Sequence, residues 1–294
     1  MKISEDFKGQ LEIGHTRSRE ADRNYHLGGR SFYFFDFDDN IAFLTTPMVL
    51  FHKITGTELL ISSGEWAEVH GTIGKSGFYA DFEVRFEEPQ GSFRHFRDLS
   101  PEEMIRLNLK SQTFVQDVQK ILAEPDMLWK GPSWDCFYHA VFNERPVSVI
   151  TARGHHPETF KSGIDEFVKK GYLPSQPNYL SIFPVSHLQT RKSLGDEFLQ
   201  LSTAALKQKA MRASVEKAIE TYGYSDHHRF GMSDDDPKNI QSIFEEMRRL
   251  KKDYPEMSFF MIETHQGQFV KHEVGLNDTF VDTFDPQSQL DLFG

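Results

Sequence analysis

Short apolar runs alternate along the chain with stretches in which apolar residues recur at helical spacing. The runs read FYFFDFD at 32–38, PVSVIT at 146–151, YLSIFPV at 179–185, RFGM at 229–232 and SFFMIE at 258–263. Each has the length and composition of a buried strand. The intervening ranges 157–171, 206–222 and 239–252 place apolar residues on one helical face. Strands alternating with amphipathic helices predict an α/β fold with a mostly parallel sheet and helices on both faces.

The segment between the first and second apolar runs follows a different pattern. From 48 to 90 it contains short alternating stretches broken by glycine, which indicate antiparallel strands or hairpins. The sequence Ser-Pro-Glu-Glu at 100–103 then opens a predicted helix that runs towards Ala123. Residues 49–130 are therefore predicted to form an inserted module. The other ranges are assigned to a discontinuous core (1–48 and 131–277) and an acidic tail (278–294).

Composition and charge limit the classes of protein that the chain can represent. An aromatic content of 13% excludes a disordered chain, and the single cysteine, Cys136, excludes a disulfide scaffold or a multi-thiolate metal site. The formal net charge of −11 argues against an extended nucleic-acid surface. No apolar run approaches the roughly 20 residues of a membrane helix. We therefore expect a cytoplasmic protein without a membrane partner.

Acidic and hydroxyl residues follow three of the predicted strands. The first strand ends in DFDDN at 36–40, the second in TARG at 151–154 and the fourth in SDDD at 233–236. Ligands of open α/β sheets bind beyond the carboxyl ends of the strands, so these residues predict one shared site. A single acidic group after a strand is more often a turn former or a helix N-cap, but three such groups favour function. Converging carboxylates repel one another unless a cation lies among them, and oxygen-only ligands favour Mg²⁺.

The motifs DFDDN (36–40), ITARG (150–154) and GMSDDDPKN (231–239), in this order, resemble motifs one, two and four of the haloacid-dehalogenase-like (HAD) phosphohydrolase superfamily. The resemblance covers residues 30–48 and 135–265. It implies a Rossmannoid sheet and places the inserted module where that superfamily carries a mixed α+β cap. It also implies Mg²⁺-dependent hydrolysis of a phosphomonoester through an aspartyl-phosphate intermediate.

The resemblance implies a role for each matching residue. Asp36 corresponds to the nucleophile, and Asp38 to the general acid that protonates the leaving group and then activates water. Thr151 corresponds to the residue that hydrogen-bonds the phosphoryl oxygens. Asp234 and Asp235 correspond to the metal-binding pair, joined by the carboxylate of Asp36 and the backbone carbonyl of Asp38.

Several further residues near these motifs are candidates for the site. Asn40 stands where the superfamily often has Thr or Val, and Arg153 follows the second strand; both are assigned, with Thr151, to substrate binding. The lysine of the third motif has three candidates. Lys209 suits the role best because it lies in the first turn of the predicted helix before the fourth strand, and Lys207 and Lys192 are the alternatives.

The chain ends in QLDLF at 289–293, followed by Gly294. This segment resembles the peptide by which bacterial replication and repair proteins bind the sliding clamp, and the matching residues are Gln289, Leu290, Leu292 and Phe293. The alternative is a C-terminal segment that packs on its own core. Clamp binding would place a phosphatase near DNA, with a nucleotide or a DNA 3′-phosphate as its substrate. The alternative functions are a clamp-associated adaptor with a catalytically idle core and a phosphotransferase.

Overall fold

The fold is described over residues 18–86, 90–264 and 269–278 of a computed structural model. Its strands are β1 (Ser31–Phe35), β2 (Met48–His52), β3 (Glu58–Ile61), β4 (Phe82–Glu83), β5 (Pro146–Thr151), β6 (Asn178–Pro184), β7 (Arg229–Asp234), β8 (Ser258–Glu263) and β9 (Val270–Glu273). Its helices are α1 (Ser63–Val69), α2 (Pro101–Arg106), α3 (Thr113–Ile121), α4 (Asp126–Trp129), α5 (Trp134–Phe142), α6 (Pro157–Lys169), α7 (Leu188–Ser193), α8 (Thr203–Tyr222) and α9 (Pro237–Asp253).

Six strands form one sheet in the order β6-β5-β1-β7-β8-β9. The first five are parallel, and β9 runs antiparallel to β8 at the edge. The protein is therefore an α/β protein with a mostly parallel sheet flanked by helices, compatible with a Rossmann-like fold. All five predicted strands are confirmed in this sheet. The sequence did not indicate β9, because an edge strand with one half-buried face carries no continuous apolar run.

Helices cover both faces of the sheet, and the side chains of β1 pack against both layers. Its alternate residues point to opposite faces. Phe32 and Phe34 join the cluster formed with α8 and α9, whereas Phe35 joins the cluster formed with α5 and α6. Phe32 stacks on Phe230 of β7 with 4.7 Å between the ring centroids. Burying one such ring stabilises the fold by about 1.5–3 kcal/mol, so the central strand is anchored on both sides.

The three predicted core helices are confirmed as α6, α8 and α9. The Ser202 hydroxyl accepts a hydrogen bond from the backbone N–H of Ala205 and so begins α8 three residues earlier than the apolar pattern indicates. Gly223 ends α8 with φ of 82°, a conformation that favours glycine. Of the helices in the described ranges, none combines the length and the apolar character that crossing a lipid bilayer requires.

The first half of the inserted module contains a small antiparallel sheet, β3-β2-β4, as the alternating pattern predicts. The pattern is wrong for residues 63–69, which form α1 instead of a strand. The reason is a capping box: the Ser62 hydroxyl accepts from the N–H of Glu65, and the Glu65 carboxylate accepts from the N–H of Ser62.

The helix predicted from 101 towards Ala123 is also corrected, because the structure divides it into α2 and α3. Asn108 adopts φ of 51°, in the left-handed region, shortly after α2 ends. A left-handed residue terminates a helix, and asparagine tolerates it better than most side chains.

The second half of the inserted module packs against the core. Phe114, Val118 and Ile121 of α3 belong to the hydrophobic cluster that covers the β1–β5 side of the sheet. Gly163 of α6 makes this contact possible, since a Cβ at that position would lie 2.3 Å from Cε1 of Phe114. The small β-sheet has its own apolar cluster. The module boundaries 49 and 130 stay a prediction.

Candidate active site

The carboxyl edge of the sheet brings Asp36 and Asp234 together. Asp36 directly follows β1, and its backbone N–H donates to the carbonyl of Ser233 at 3.0 Å, which continues the pairing of β1 with β7. Asp234 is the last residue of β7, and Asp235 follows it. One carboxylate oxygen from each of these three aspartates lies within 4.8 Å of the other two. Two of the three predicted strand ends therefore meet as the sequence indicates.

A buried lysine lies among these acids, and we call Lys207, Asp36, Asp234 and Asp235 the Lys207 cluster. The Nζ of Lys207 lies 2.6 Å from Oδ2 of Asp234 and 3.1 Å from Oδ2 of Asp36. The lysine side chain is 2% exposed. Asp234 is held further by the N–H of Asp236 and by Nδ2 of Asn239, both on its Oδ1. One ammonium group thus faces three carboxylates, which leaves a surplus of negative charge.

The structure places Lys207, and not the preferred Lys209, beside Asp36 and Asp234. Lys209 is exposed, and so is Lys192. Two residues along an α-helix correspond to a rotation of about 200°, so Lys207 and Lys209 lie on opposite sides of α8. The available signal was the apolar face: Lys207 belongs to the buried stripe of α8 with Leu206 and Ala210. A lysine on an apolar stripe indicates a buried charge partner.

Burial raises the pKa of Asp36 to about 7, and the neighbouring charge of Asp234 adds to this rise. Lys207 opposes it by favouring the ionised carboxylate. Burial alone lowers the pKa of Lys207, but the carboxylates of Asp234 and Asp36 outweigh burial and raise it. Lys207 is therefore a permanent cation, and the carboxylates beside it are incompletely neutralised.

The two neighbouring aspartates on the same edge are perturbed in the same direction. Burial and the charge of Asp234 raise the pKa of Asp235 well above its usual range. Burial and the charge of Asp38 raise the pKa of Asp39 to about 6, although the Ser63 hydroxyl donates to Asp39 at 3.2 Å and partly opposes the rise. This contact also connects the site to α1 of the inserted module.

The Lys207 cluster fits a hard divalent cation. Its ligand atoms are all carboxylate oxygens, which Mg²⁺ prefers. Oδ1 of Asp36 is buried and has no hydrogen-bond partner among the described residues. A buried oxygen of this kind is costly unless a ligand satisfies it. Asp36, Asp234 and Asp235 are therefore the residues that could hold the metal, and the bound cation would also offset their mutual repulsion.

Asp38 lies in a different environment, which we call the Arg153 cluster: Asp38, Arg153, Thr46, Phe96 and Phe114. Nε of Arg153 donates to both oxygens of Asp38, at 3.0 and 2.7 Å, and Nη2 donates to Oδ1 at 2.6 Å. The guanidinium carbon lies 4.7 Å from the ring centre of Phe96 and 5.2 Å from that of Phe114. The arginine is 1% exposed. The structure thus brings the predicted residues Asp38 and Arg153 together as a buried ion pair.

Asn40 does not face a substrate, which corrects its assignment to substrate binding. It is fully buried, and its Nδ2 donates to the carbonyl of Asp36 at 3.0 Å and to the hydroxyl of Ser233 at 2.8 Å. Its Oδ1 accepts from the hydroxyls of Ser133 and Thr264. An Asn side chain offers two donors and two acceptor lone pairs, so its capacity is fully used. Asn40 holds together the ends of β1, β7 and β8.

Thr151 ends β5, the strand beside β1, and is fully buried. Its Oγ1 accepts a hydrogen bond from the backbone N–H of Arg153 at 3.3 Å. The threonine therefore shapes the turn that delivers Arg153 to Asp38, and its contact with a phosphoryl group stays a prediction. Residues 289–293, which are predicted to bind a sliding clamp, lie outside the described residues.

Comparisons with known proteins provide no family assignment. No family model, no curated protein and no solved structure matches the chain. What the fold and the site define is an α/β protein with a carboxylate-rich candidate metal centre at the carboxyl edge of its sheet. Any narrower function has to be argued from that geometry and from the motifs that form it.

Proposed function

We propose that this protein is a Mg²⁺-dependent phosphomonoesterase of the HAD superfamily that acts through Asp36 and Asp38. The observation that carries the proposal is the Lys207 cluster: Asp36, at the end of a central parallel strand, shares a lysine with Asp234 and lies within metal-ligand distance of Asp235. The order of the three motifs along the chain supports the same conclusion.

In the proposed reaction, Asp36 attacks the phosphorus atom through a carboxylate oxygen. The bond between phosphorus and the ester oxygen breaks, and Asp38 gives its proton to the leaving oxygen. Water then attacks the aspartyl phosphate and gives a proton to Asp38, which releases inorganic phosphate and regenerates Asp36. Mg²⁺ held by the three aspartates would neutralise their charge and polarise the phosphoryl group.

The two buried cations have separate tasks in this mechanism. Lys207 orients the Asp36 carboxylate and offsets part of the charge of Asp234. Arg153 positions Asp38, and its Nη1 is buried without a hydrogen-bond partner among the described residues. A phosphoryl oxygen is a suitable acceptor for that nitrogen, because guanidinium groups bind phosphate through several N–H donors. Thr151 completes the turn that presents this arginine.

The substrate class is inferred from the tail. The segment with Gln289, Leu290, Leu292 and Phe293 would bind a sliding clamp and so bring the enzyme to DNA. A nucleotide or a DNA 3′-phosphate is then the natural phosphomonoester. The net charge of −11 is compatible with this, since the clamp rather than a basic surface would hold the enzyme there.

The test is phosphate release from a panel of sugar phosphates, nucleotides, 3′-phosphorylated oligonucleotides and 4-nitrophenyl phosphate in Mg²⁺. Asp36→Asn should abolish release, because the amide is a poor nucleophile. Asp39→Asn is the matched control, since Asp39 contacts Ser63 rather than Lys207, and it should retain most activity. Wild-type turnover by Asp36→Asn would refute the mechanism.

Two results of the same panel would favour the alternative functions. Absence of hydrolysis on every substrate, together with clamp binding, would support an adaptor with an idle core. Transfer of the phosphoryl group to an added alcohol in preference to water would support a phosphotransferase.

A further inference from the structure

A chain of side-chain contacts links α3 to Asp38. Nη2 of Arg153, besides binding Asp38, donates to Oγ1 of Thr46 at 2.7 Å. The Thr46 hydroxyl in turn donates to Oδ2 of Asp117 in a short hydrogen bond. Asp117 belongs to α3, and Thr46 is 8% exposed. The order of contacts is therefore Asp117, Thr46, Arg153 and Asp38.

Thr46 restricts in-plane movements of the guanidinium group that the aromatic rings leave free and that Asp38 alone would otherwise limit. Phe96 and Phe114 cover the guanidinium group and restrict its tilt. Ring contacts of this kind leave sliding and rotation within the guanidinium plane almost free, because they have no directional hydrogen bond. The hydrogen bond to Thr46 lies at the edge of that plane and sets the position of Arg153 within it.

We propose that Thr46 and Asp117 are positioning residues that hold Arg153, and through it Asp38, in the place that general-acid catalysis requires. The inference rests on the proposed function. In the structure both oxygens of Asp38 accept hydrogen bonds from Arg153, so Asp38 reaches a leaving group only after a bound phosphoryl group takes over part of the guanidinium. Thr46 keeps Arg153 in place during that exchange, so that the carboxyl group moves and the arginine does not.

A comparison with Thr45 distinguishes the positioning of Arg153 by Thr46 from a purely structural role of the loop. Its N–H and hydroxyl both donate to Oδ1 of Asp117, at 3.2 and 2.5 Å. Thr45 thus ties the same loop to the same residue of α3. It is exposed, and the hydrogen bonds found in the described ranges do not join it to Arg153. Thr45 and Thr46 differ in their contact with the arginine, not in their contact with α3.

The kinetic test compares Thr46→Val with Thr45→Val on an alkyl phosphate and on 4-nitrophenyl phosphate. Misplacing a general acid slows the alkyl ester more, because nitrophenolate leaves without protonation. We expect Thr46→Val to lower kcat on the alkyl phosphate by roughly ten- to a hundredfold, with a clearly smaller loss on 4-nitrophenyl phosphate. Thr46→Ser keeps the hydroxyl and should restore the wild-type ratio of the two rates. Asp117→Ala should change that ratio in the same direction as Thr46→Val.

A spectroscopic test does not depend on turnover. The Nε–H of Arg153 is buried in a hydrogen bond to a carboxylate, so it should give a protected NMR signal, assigned by its loss in Arg153→Lys. The signal should shift or broaden in Thr46→Val and stay unchanged in Thr45→Val. Equal signals and equal rate ratios in the two valine variants would overturn the inference. If the wild type hydrolyses nothing, the proposed function fails, and the NMR comparison still decides whether Thr46 positions Arg153.

Discussion

The Lys207 cluster and the Arg153 cluster each pair a buried cation with carboxylates, but their charge balance differs. In the first, one ammonium group faces three aspartates. In the second, one guanidinium group forms an ion pair with Asp38, and among the described residues it also contacts a hydroxyl and two aromatic rings. The first cluster therefore has a deficit of positive charge that a divalent cation would fill, whereas the ion pair of the second matches one cation with one carboxylate.

Asp36 and Asp38 are two residues apart, yet they belong to different clusters. Asp36 is buried beside Lys207 and two other aspartates, and one of its oxygens has no hydrogen-bond partner among the described residues. Both oxygens of Asp38 accept hydrogen bonds, and its side chain is 23% exposed. Pairs of carboxyl groups acquire different chemical tasks when their environments differ in this way. The comparison teaches that the surroundings, not the residue type, would separate the proposed nucleophile from the proposed proton donor.

The largest expected effect comes from removing the cation of the first cluster. Lys207→Met leaves buried carboxylates without their counter-charge, and breaking a buried pair in this way costs about 3–5 kcal/mol. Urea unfolding at pH 7 measures the loss. Lys209→Met is the matched control on the exposed side of α8, and it should change the unfolding free energy by less than about 0.5 kcal/mol. Similar losses of unfolding free energy in the two variants would show that Lys207 is not the counter-charge of the buried aspartates.

The next effect tests whether the first cluster is short of positive charge. Mg²⁺ should raise the free energy of unfolding, by about 2.7 kcal/mol at a hundred times its Kd, because it binds the folded state. Asp235→Asn should remove most of this stabilisation. Asp236→Asn should retain it, since Asp236 adjoins the cluster without belonging to it. Thermal unfolding with Mg²⁺ or EDTA gives the answer, and equal responses of the two variants would exclude Asp235 as a ligand.

A smaller effect comes from the raised pKa of Asp36. Its pKa is about 7 in the folded protein against an ordinary value of 3.8. Between these values the unfolded chain is ionised and the folded protein keeps the proton, so wild-type stability falls as pH rises from about 4 to 7. Asn has no such dependence. In EDTA, Asp36→Asn should therefore gain about 2.5 kcal/mol in unfolding free energy relative to wild type between pH 5 and pH 8.

Urea unfolding of both proteins at the two pH values measures this difference. Asp39 also titrates over part of the range, but it is present in both chains and largely cancels in the comparison. Asp235 cancels only in part, because the charge of Asp36 helps to raise its pKa, and the loss of that charge in Asp36→Asn increases the gain in the same direction. A difference in unfolding free energy that is constant with pH would show that the pKa of Asp36 is not raised in the folded protein.

The smallest expected effect concerns a segment that belongs to neither cluster. Deleting residues 289–294 should leave the rate of phosphate release unchanged within about twofold, because the deleted segment supplies no group to the proposed chemistry. The same deletion should abolish binding to a bacterial sliding clamp in a pull-down or by calorimetry. Undiminished clamp binding would refute the proposed role of Leu292 and Phe293.

The sequence predicted the core strands well because their apolar runs are buried on both faces. Residues 146–151 are buried throughout, so a continuous apolar run marks β5. The inserted module was harder to predict because local contacts decide it: a capping box converts 63–69 into a helix, and Asn108 divides a second helix in two. Neither signal changes the periodicity of the apolar residues.

The site residues likewise differ in how far the sequence pattern predicts their positions and how far tertiary packing determines them. The positions of Asp36 and Asp234 followed from strand order, because parallel strands align their carboxyl ends. The choice of Lys207 over Lys209 followed from the apolar stripe of α8, because Lys207 lies on the same buried face as Ala210 and Met211. The role of Asn40 depends on partners far apart in sequence, such as Thr264, and no local pattern reveals them.

Gly163 places a constraint on the chain at a position that carries no charge and no side chain. Phe114 rests on the bare backbone of α6 at this residue, and the guanidinium carbon of Arg153 lies 5.2 Å from the centre of the same ring. One added methyl group at 163 would displace that ring, and the ring lies against the arginine that holds Asp38. The tolerance of this protein to random substitution should therefore be lowest not only at its acids but also at a helix position that carries no side chain. A mutational scan that ranks positions by chemistry alone would overlook it.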